Sequence, residues 1–411
     1  MALLSRRFLA HRTRARILIV GGNFAGLAAA KALNPDHSRV TVIDPSPHME
    51  WLPNIHELLS RRKTATQLQH DRRQIVERFR HEFVQESVTS IDRAAKRVLT
   101  SGGQQLDYDI LVLATGGVPC DYGIPGVHEH TTPTRSVAAC SRISNALTRL
   151  AALPGERPVV IVGGGIEGLE MLGEVLRRGG DKERIDLHLI ESRPQLFERF
   201  TGLHEHLVQR MGAQVTLHTG SRVKSVTHDQ VCLDNGQTLP TRLTIWTAGS
   251  HGHPLLTETG LSQVNQDAPV NNGLQSMYDS AIFVIGDAAR LPVPLEKQAF
   301  HAQDMGRHVA DSIRDHLAGR PLPDFRSRQK PSLVSFGNRD AFMFLGDRVL
   351  ASPTLLGLKE AVYQYGYHDM LPPRSRHELS ALVRDLRHGV NTLDTWRLLI
   401  GSTEARMFQA S

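Results

Sequence analysis

The chain carries only three cysteines, Cys120, Cys140 and Cys232, among 411 residues, and no two of them form a CxxC pair. That scarcity excludes a disulfide framework, a cysteine-based zinc site and a dithiol that relays electrons. Lone thiols of this kind read as small buried hydrophobes, and no metal centre is expected. No apolar run reaches the ~18–20 residues that a membrane-spanning helix needs. A block of Lys and Arg interleaved with aromatics is also missing. The net charge of +6 therefore points to anionic nucleotides or an anionic membrane rather than to nucleic acid. Residues 1–16 hold Arg6, Arg7, Arg12, Arg14 and Arg16, with no acid and no long apolar segment. A secretory signal is not expected, and the stretch reads as a basic tail with a transit peptide as the alternative. The chain is long enough for two or three domains with a sizeable core.

What the chain does have is one pattern written twice. Ile17, Leu18, Ile19 and Val20 form a wholly apolar run suited to a strand buried on both faces. Gly21, Gly22, Asn23, Phe24, Ala25 and Gly26 follow, opening a helix through Leu27, Ala28, Ala29, Ala30 and Leu33. Strand, glycine turn and helix in that order aim backbone N–H groups and a positive helix end at a phosphate. Asn23 stands where GxGxxG has its middle glycine, and it carries a side chain where a pyrophosphate comes close. The next apolar strand, 40–43, ends in Asp44, near the spacing at which a carboxylate bonds a ribose hydroxyl.

Residues 45–63 read as irregular, and 72–81 as a solvated helix of alternating charge. A β-meander over 84–108 leads into a buried strand over 109–113 and the small-residue turn Ala114, Thr115, Gly116. One helix is expected near 142–152.

At Pro158 the order begins again. Val159 to Val162 is a second buried strand, followed by Gly163, Gly164, Gly165, Ile166, Glu167 and Gly168, with all three motif glycines present. A strand over 186–190 ends in Glu191, a second meander follows, and the strand over 243–246 runs into Thr247, Ala248 and Gly249. This repeat implies two bound dinucleotides. Glu191 would accept hydrogen bonds from both ribose hydroxyls of NADH and repel a 2′-phosphate. Arg193 softens that exclusion, so NADH is expected over NADPH.

A last strand, Ala281 to Ile285, ends in Gly286, Asp287, Ala288 and Ala289. The set GGNFAG, ATGG, GGGIEG, TAG and IFVIGDAA resembles the two-dinucleotide-binding flavoprotein superfamily with the pyridine nucleotide-disulfide oxidoreductase fold. Within it, the chain is most similar to type II, non-proton-pumping NADH:quinone oxidoreductases. The resemblance covers residues 16–319 well and the remainder loosely. It implies an α/β fold with two Rossmann-like FAD/NAD(P)-binding domains, the NAD domain inserted in the FAD domain, plus a C-terminal α+β tail. The expected boundaries are a basic tail over 1–15, FAD-binding segments at 16–130 and 265–325, an NAD(P)H-binding domain at 131–264 and a C-terminal region at 326–411.

By the same resemblance Asp287 would bond the ribityl chain or pyrophosphate of FAD, and Glu170 would lie near the nicotinamide and flavin and bear on turnover. A helix expected to begin near Lys297, Gln298 and Ala299 could turn its positive end and the Lys297 ammonium toward charge developing on the flavin. The implied reaction takes hydride from NADH to FAD and passes electrons to a quinone or another small acceptor. Against the family's AQxAxQxG pattern this chain keeps Ala299, Ala302 and Gly306. It replaces the glutamines with Phe300 and Asp304, and Gln298 and Gln303 are out of register. Two alternatives stay open: a reductase of a ferredoxin- or rubredoxin-type carrier, and a nucleotide-sensing flavoprotein that turns over poorly. Sulfide:quinone oxidoreductases share the architecture but use paired cysteines, one late in the chain, and nothing after Cys232 is a cysteine.

Residues 376–400 carry an apolar stripe with Arg384, Arg387 and His388 off it. Such a helix suits a membrane surface or a second subunit of a homodimer, and both remain open. The expectation is a cytoplasmic protein, with a peripheral place on the inner face of the cell membrane as the further option.

Overall fold

The computed structural model describes residues 14–179, 185–327, 329–370 and 405–410. They fall into two compact units, one of residues 1–48, 71–116 and 252–326, the other of residues 49–70, 117–251 and 327–411. Segments 49–70 and 117–130 thus belong with the second unit and 252–264 with the first.

In the first unit, five parallel strands lie in the order Ile282–Val284, Ile110–Leu113, Ala15–Val20, Ser38–Ile43 and Glu82–Val84. Ile17, Ile19, Leu111, Val112 and Phe283 are fully buried, as unbroken apolar runs in a sheet covered on both faces must be. Helix Phe24–Ala32 packs on helix Ala299–Leu317 at Gly306, where an added Cβ would lie 2.3 Å from the Ala25 carbonyl oxygen.

The second unit repeats the plan, with parallel strands in the order Thr132–Pro133, Leu243–Trp246, Pro158–Val162, Asp186–Ile190 and Val215–His218. Helix Ile166–Gly179 follows its glycine turn. A four-stranded antiparallel sheet, Ser332–Phe336, Asp340–Leu345, Arg348–Ala351 and Arg406–Gln409, packs on that helix through Gly173 and Gly337. Helix Leu355–Met370 completes the described part.

Several expectations change. The helix over 72–81 is Arg72–Arg78, and it is not solvated along its length: Arg72, Ile75 and Val76 are buried. Its alternating charge hid one arginine whose partners are the Asp44 carboxylate and distant backbone carbonyls. Residues 45–63 are not wholly irregular; they hold strand His48–Glu50 and the 3-10 helix Leu52–Leu58. The helix near 142–152 starts earlier, at Val137, because Ser136 caps it, its Oγ accepting from Ala139 N–H at 3.1 Å. The stripe at 376–400 and most of the basic tail lie outside the described residues. No helix among the described residues is long and apolar enough to cross a membrane.

Candidate functional site

The first glycine turn is closed by backbone bonds. Gly21 takes φ +101°, its N–H donates to Ile43 O at 2.8 Å, and a Cβ there would meet the Ala114 carbonyl oxygen at 2.2 Å. Gly26 lies so close to this bend that a Cβ would fall 1.9 Å from Gly21 O. Only glycine fits either place. Gly22 N–H donates to Asp44 Oδ2 at 2.8 Å, and Ser46 N–H donates to Oδ1 at 2.9 Å. Across the same carboxylate lies Arg72, 3% exposed, which pairs with Asp44 and donates to the carbonyls of Gly22 (2.6 Å), His48 (2.6 Å) and Ser46. Asn23 is the residue before the helix begins at Phe24, and Ala25 is buried behind it. Asn23 Oδ1 and Thr115 Oγ1 are both buried without a protein partner. Buried polar atoms are seldom left so, and a ligand rich in hydroxyl and phosphate groups would meet that need. The residues of this turn therefore fit a dinucleotide. Gly116, with φ +66° and open space around it, ends the adjoining strand loop.

The second turn reproduces the first. Gly163 has φ +105° and donates to Ile190 O at 2.9 Å, and a Cβ on Gly168 would fall 1.8 Å from Gly163 O. Gly164 N–H donates to Glu191 Oε2 at 2.8 Å and Arg193 N–H to Oε1 at 2.9 Å. Gly165 and Ile166 are exposed, with nothing within 4 Å of a Cβ on Gly165, so the approach to the helix N-terminus is open. Glu167 turns aside and accepts a bond from the Thr134 hydroxyl. Thr247 Oγ1 donates to Val162 O at 2.8 Å and Gly163 O at 3.0 Å, tying the turn to the loop that carries Ala248 and Gly249.

In the first unit a cavity of about 130 Å³ brings Gly286, Asp287, Lys297, Gln298 and Met305 together. Gly286 and Asp287 sit in the 3-10 turn Gly286–Ala288, and Gln298 is the cap residue before Ala299, the first residue of the helix. Lys297 does not stand there as an isolated ammonium: its Nζ lies 2.8 Å from Asp267 Oδ2. Its charge is largely spent on that carboxylate, so the helix end is the freer source of positive potential.

Glu170 enters a buried polar cluster inside the second unit. Its Oε1 accepts from Ser335 N–H at 3.1 Å and from Lys359 Nζ, and its Oε2 lies 3.4 Å from His56 Nδ1. Lys359 Nζ also donates to Ser335 Oγ at 3.0 Å and lies 3.2 Å from His56 Nε2. The three ammonium protons of Lys359 thus have three acceptors. This assigns the imidazole proton to Nδ1, facing Glu170, and leaves Nε2 to accept. The side chain of His56 is 1% exposed. Burial, and next the Lys359 charge, hold its pKa well below the ordinary value, so it is neutral at pH 7. Burial raises the pKa of Glu170, against the pull of Lys359. One turn on, Glu174 is 1% exposed, pairs with Arg177 at 3.3 Å and has its pKa raised by burial. The cluster can hold a proton and pass it among close neighbours.

Sequence reasoning missed Arg72, Asp267, His56, Ser335 and Lys359. His56 and Lys359 are 303 positions apart, and nothing local marks either. Arg72 carried no signal beyond its place in a charged helix. Cys140, by contrast, is the buried thiol expected, its Sγ donating to Thr134 O at 3.2 Å and its pKa raised by burial.

The model of the family described as pyridine nucleotide-disulphide oxidoreductase matches residues 15–306. A type II NADH:quinone oxidoreductase of Staphylococcus aureus (strain MSSA476) is 26% identical over 389 residues, covering 85% of this chain and 94% of the relative. One from Staphylococcus epidermidis (strain ATCC 35984) is 27% identical over 393 residues, covering 86% and 96%. Among solved structures, the NDH2 of Plasmodium falciparum in complex with NADH aligns with a TM-score of 0.78 at 14% identity, covering 95% of this chain and 99% of that one. The sulfide:quinone oxidoreductase of Aquifex aeolicus aligns with a TM-score of 0.73 at 20% identity, covering 96% and 97%, a likeness of fold. With its paired glycine turns and a family match across most of its length, the chain belongs to the pyridine nucleotide-disulphide oxidoreductase family.

Proposed function

We propose that this oxidoreductase takes hydride from NADH on FAD and delivers the electrons to a quinone. On this reading the first unit carries FAD at Gly21, Gly22, Asn23, Asp44, Thr115 and Asp287. The second carries NADH at Gly163, Gly165, Gly168 and Glu191. The observation that carries the reading is the duplicated turn, each copy with its second residue's N–H bonded to a strand-end carboxylate at 2.8 Å. FAD, when bound, supplies a carrier that accepts two electrons from NADH and releases them to an acceptor. The chain's own residues bind, orient and handle protons. Glu191, fixed by Gly164 and Arg193, would hold the ribose hydroxyls of NADH and disfavour a 2′-phosphate.

Reduction of a quinone to its quinol by NADH takes two electrons and one hydrogen from the hydride and one further proton from solution, so the site needs a proton store. The Glu170–Lys359 pair, with neutral His56 beside it, is a group of that kind. The similarity to type II NADH:quinone oxidoreductases over most of both chains supports the quinone as acceptor, and a membrane-soluble acceptor supports a peripheral place on the membrane.

An anaerobic titration tests the reading. NADH should bleach the visible flavin absorbance, and a soluble quinone should restore it. Glu170→Gln should leave bleaching intact while slowing quinone-dependent turnover about a hundredfold. A colourless protein that refuses FAD would overturn the assignment, and reoxidation only by a ferredoxin or rubredoxin would overturn the acceptor.

A further inference from the structure

On the second unit, a cavity of about 380 Å³ opens among Arg142, Arg149, Arg242, His130, His228 and Glu129. That volume falls in the range of small-molecule sites. Three permanent cations and two imidazoles face one carboxylate. Among the described residues, no ion pair or side-chain hydrogen bond engages any of the three guanidiniums. Arg142, Asn145, Ala146 and Arg149 present one face of helix Val137–Ala151, at spacings of three, four and seven. The opposite face, with Cys140, Ile143 and Leu147, is buried. The helix contains no Asp or Glu, so neither arginine has a partner one turn away. Like charges gathered in a concavity raise the local potential and draw anions to it.

The cavity is not an extension of the glycine turn. Leu243 and Thr244 begin a strand that pairs in parallel with Val159 and Val160, whereas Gly163 follows Val162 at the other end of that partner strand. The two places are separated by a strand length, roughly 10 Å. A dinucleotide phosphate held at Gly163 therefore leaves these arginines uncompensated.

We propose that the cavity binds a small soluble phosphoanion with two or more negative charges, of the pyrophosphate or phosphomonoester class. Planar guanidinium forks suit phosphoryl oxygens in a way that single ammonium groups do not. The site goes beyond the redox reading and stands without it.

The test is calorimetric titration of the full-length protein with sodium pyrophosphate at fixed ionic strength, with FAD and NAD⁺ in excess so that both glycine turns are filled. One saturable site is expected. R142Q/R149Q should weaken it at least tenfold without changing the thermal midpoint or NADH bleaching, and R142K/R149K should recover only part of the loss. Equal affinity in wild type and R142Q/R149Q, or no saturable binding, would overturn the proposal. So would binding confined to phosphatidylglycerol vesicles with none to free pyrophosphate, since the face would then serve a lipid surface.

Discussion

Gly22 and Gly164 each donate to a strand-end carboxylate at 2.8 Å, Ser46 and Arg193 each donate to its second oxygen at 2.9 Å, and Gly21 and Gly163 share nearly the same positive φ. The backbones of the two turns are therefore alike, while their side-chain surroundings are not. Behind Asp44 stands a buried arginine spanning three carbonyls. Over Gly164 the nearest atom to an added Cβ is a methyl of Leu196, at 2.4 Å. Where the first turn has Asn23, with a buried orphan oxygen, the second has the open Gly165. The shared part comes from sterics that only glycine satisfies. The divergent part comes from side chains that glycine sterics do not fix, Asn23 within the first turn, Leu196 just past the second strand-end acid and Arg72 on a following helix, and there the two copies are free to suit different ligands.

Breaking the divergent part should cost most. Arg72→Met would strip the nearly buried Asp44 carboxylate of its cation and take one donor from each of the Gly22, Ser46 and His48 carbonyls, a loss of about 4 kcal/mol. The expected result is a lower thermal midpoint and release of FAD with NADH binding retained. Arg72→Lys should not rescue it, because one ammonium cannot reach the same fork.

The shared part is tested by Gly26→Ala and Gly168→Ala, whose Cβ atoms would strike backbone oxygens that cannot turn away; each should cost about 3 kcal/mol. Equilibrium binding should show Gly26→Ala losing FAD and Gly168→Ala losing NADH while keeping its colour. Loss of both nucleotides in both variants would refute the division between the turns.

A smaller effect should appear with pH. His56 is held neutral in the folded protein, so below about pH 6.5 the unfolded chain takes up a proton that the native state refuses. Stability present above that pH is lost on acidification toward the folded pKa, by about 1.4 kcal/mol per pH unit. Urea unfolding between pH 7 and pH 5 should show this slope flattened by that amount in His56→Gln. The smallest change is expected from Asn23→Gly, which makes the first turn resemble the second. Its effect on FAD affinity should stay within about tenfold, or about 1.4 kcal/mol, and thermal stability without FAD should hardly move, since Asn23 Oδ1 has no protein partner to lose.

Much of this was legible in the chain because it is local. The apolar runs at 17–20 and 159–162, the glycines at fixed offsets and the acids at 44 and 191 lie within about thirty residues of one another in each copy. Sterics and strand period act over that range. Helix ends were less legible: a single cap, Ser136, moved one helix start by five residues, from 142 to 137.

By itself the sequence determined that two glycine turns exist, where each bends and that an acid ends the strand beside each, because these depend on missing Cβ atoms and on strand period; that the acid bonds the turn's own N–H was seen only in the structure. Tertiary structure alone decided that Arg72 stands behind Asp44, that Asp267 neutralises Lys297, and that His56, Ser335 and Lys359 gather around Glu170. The physical reason is that burial and charge act through space. A lysine in a sequence is a solvated cation until folding removes the water and supplies three acceptors, and no local pattern records which distant segment will do so.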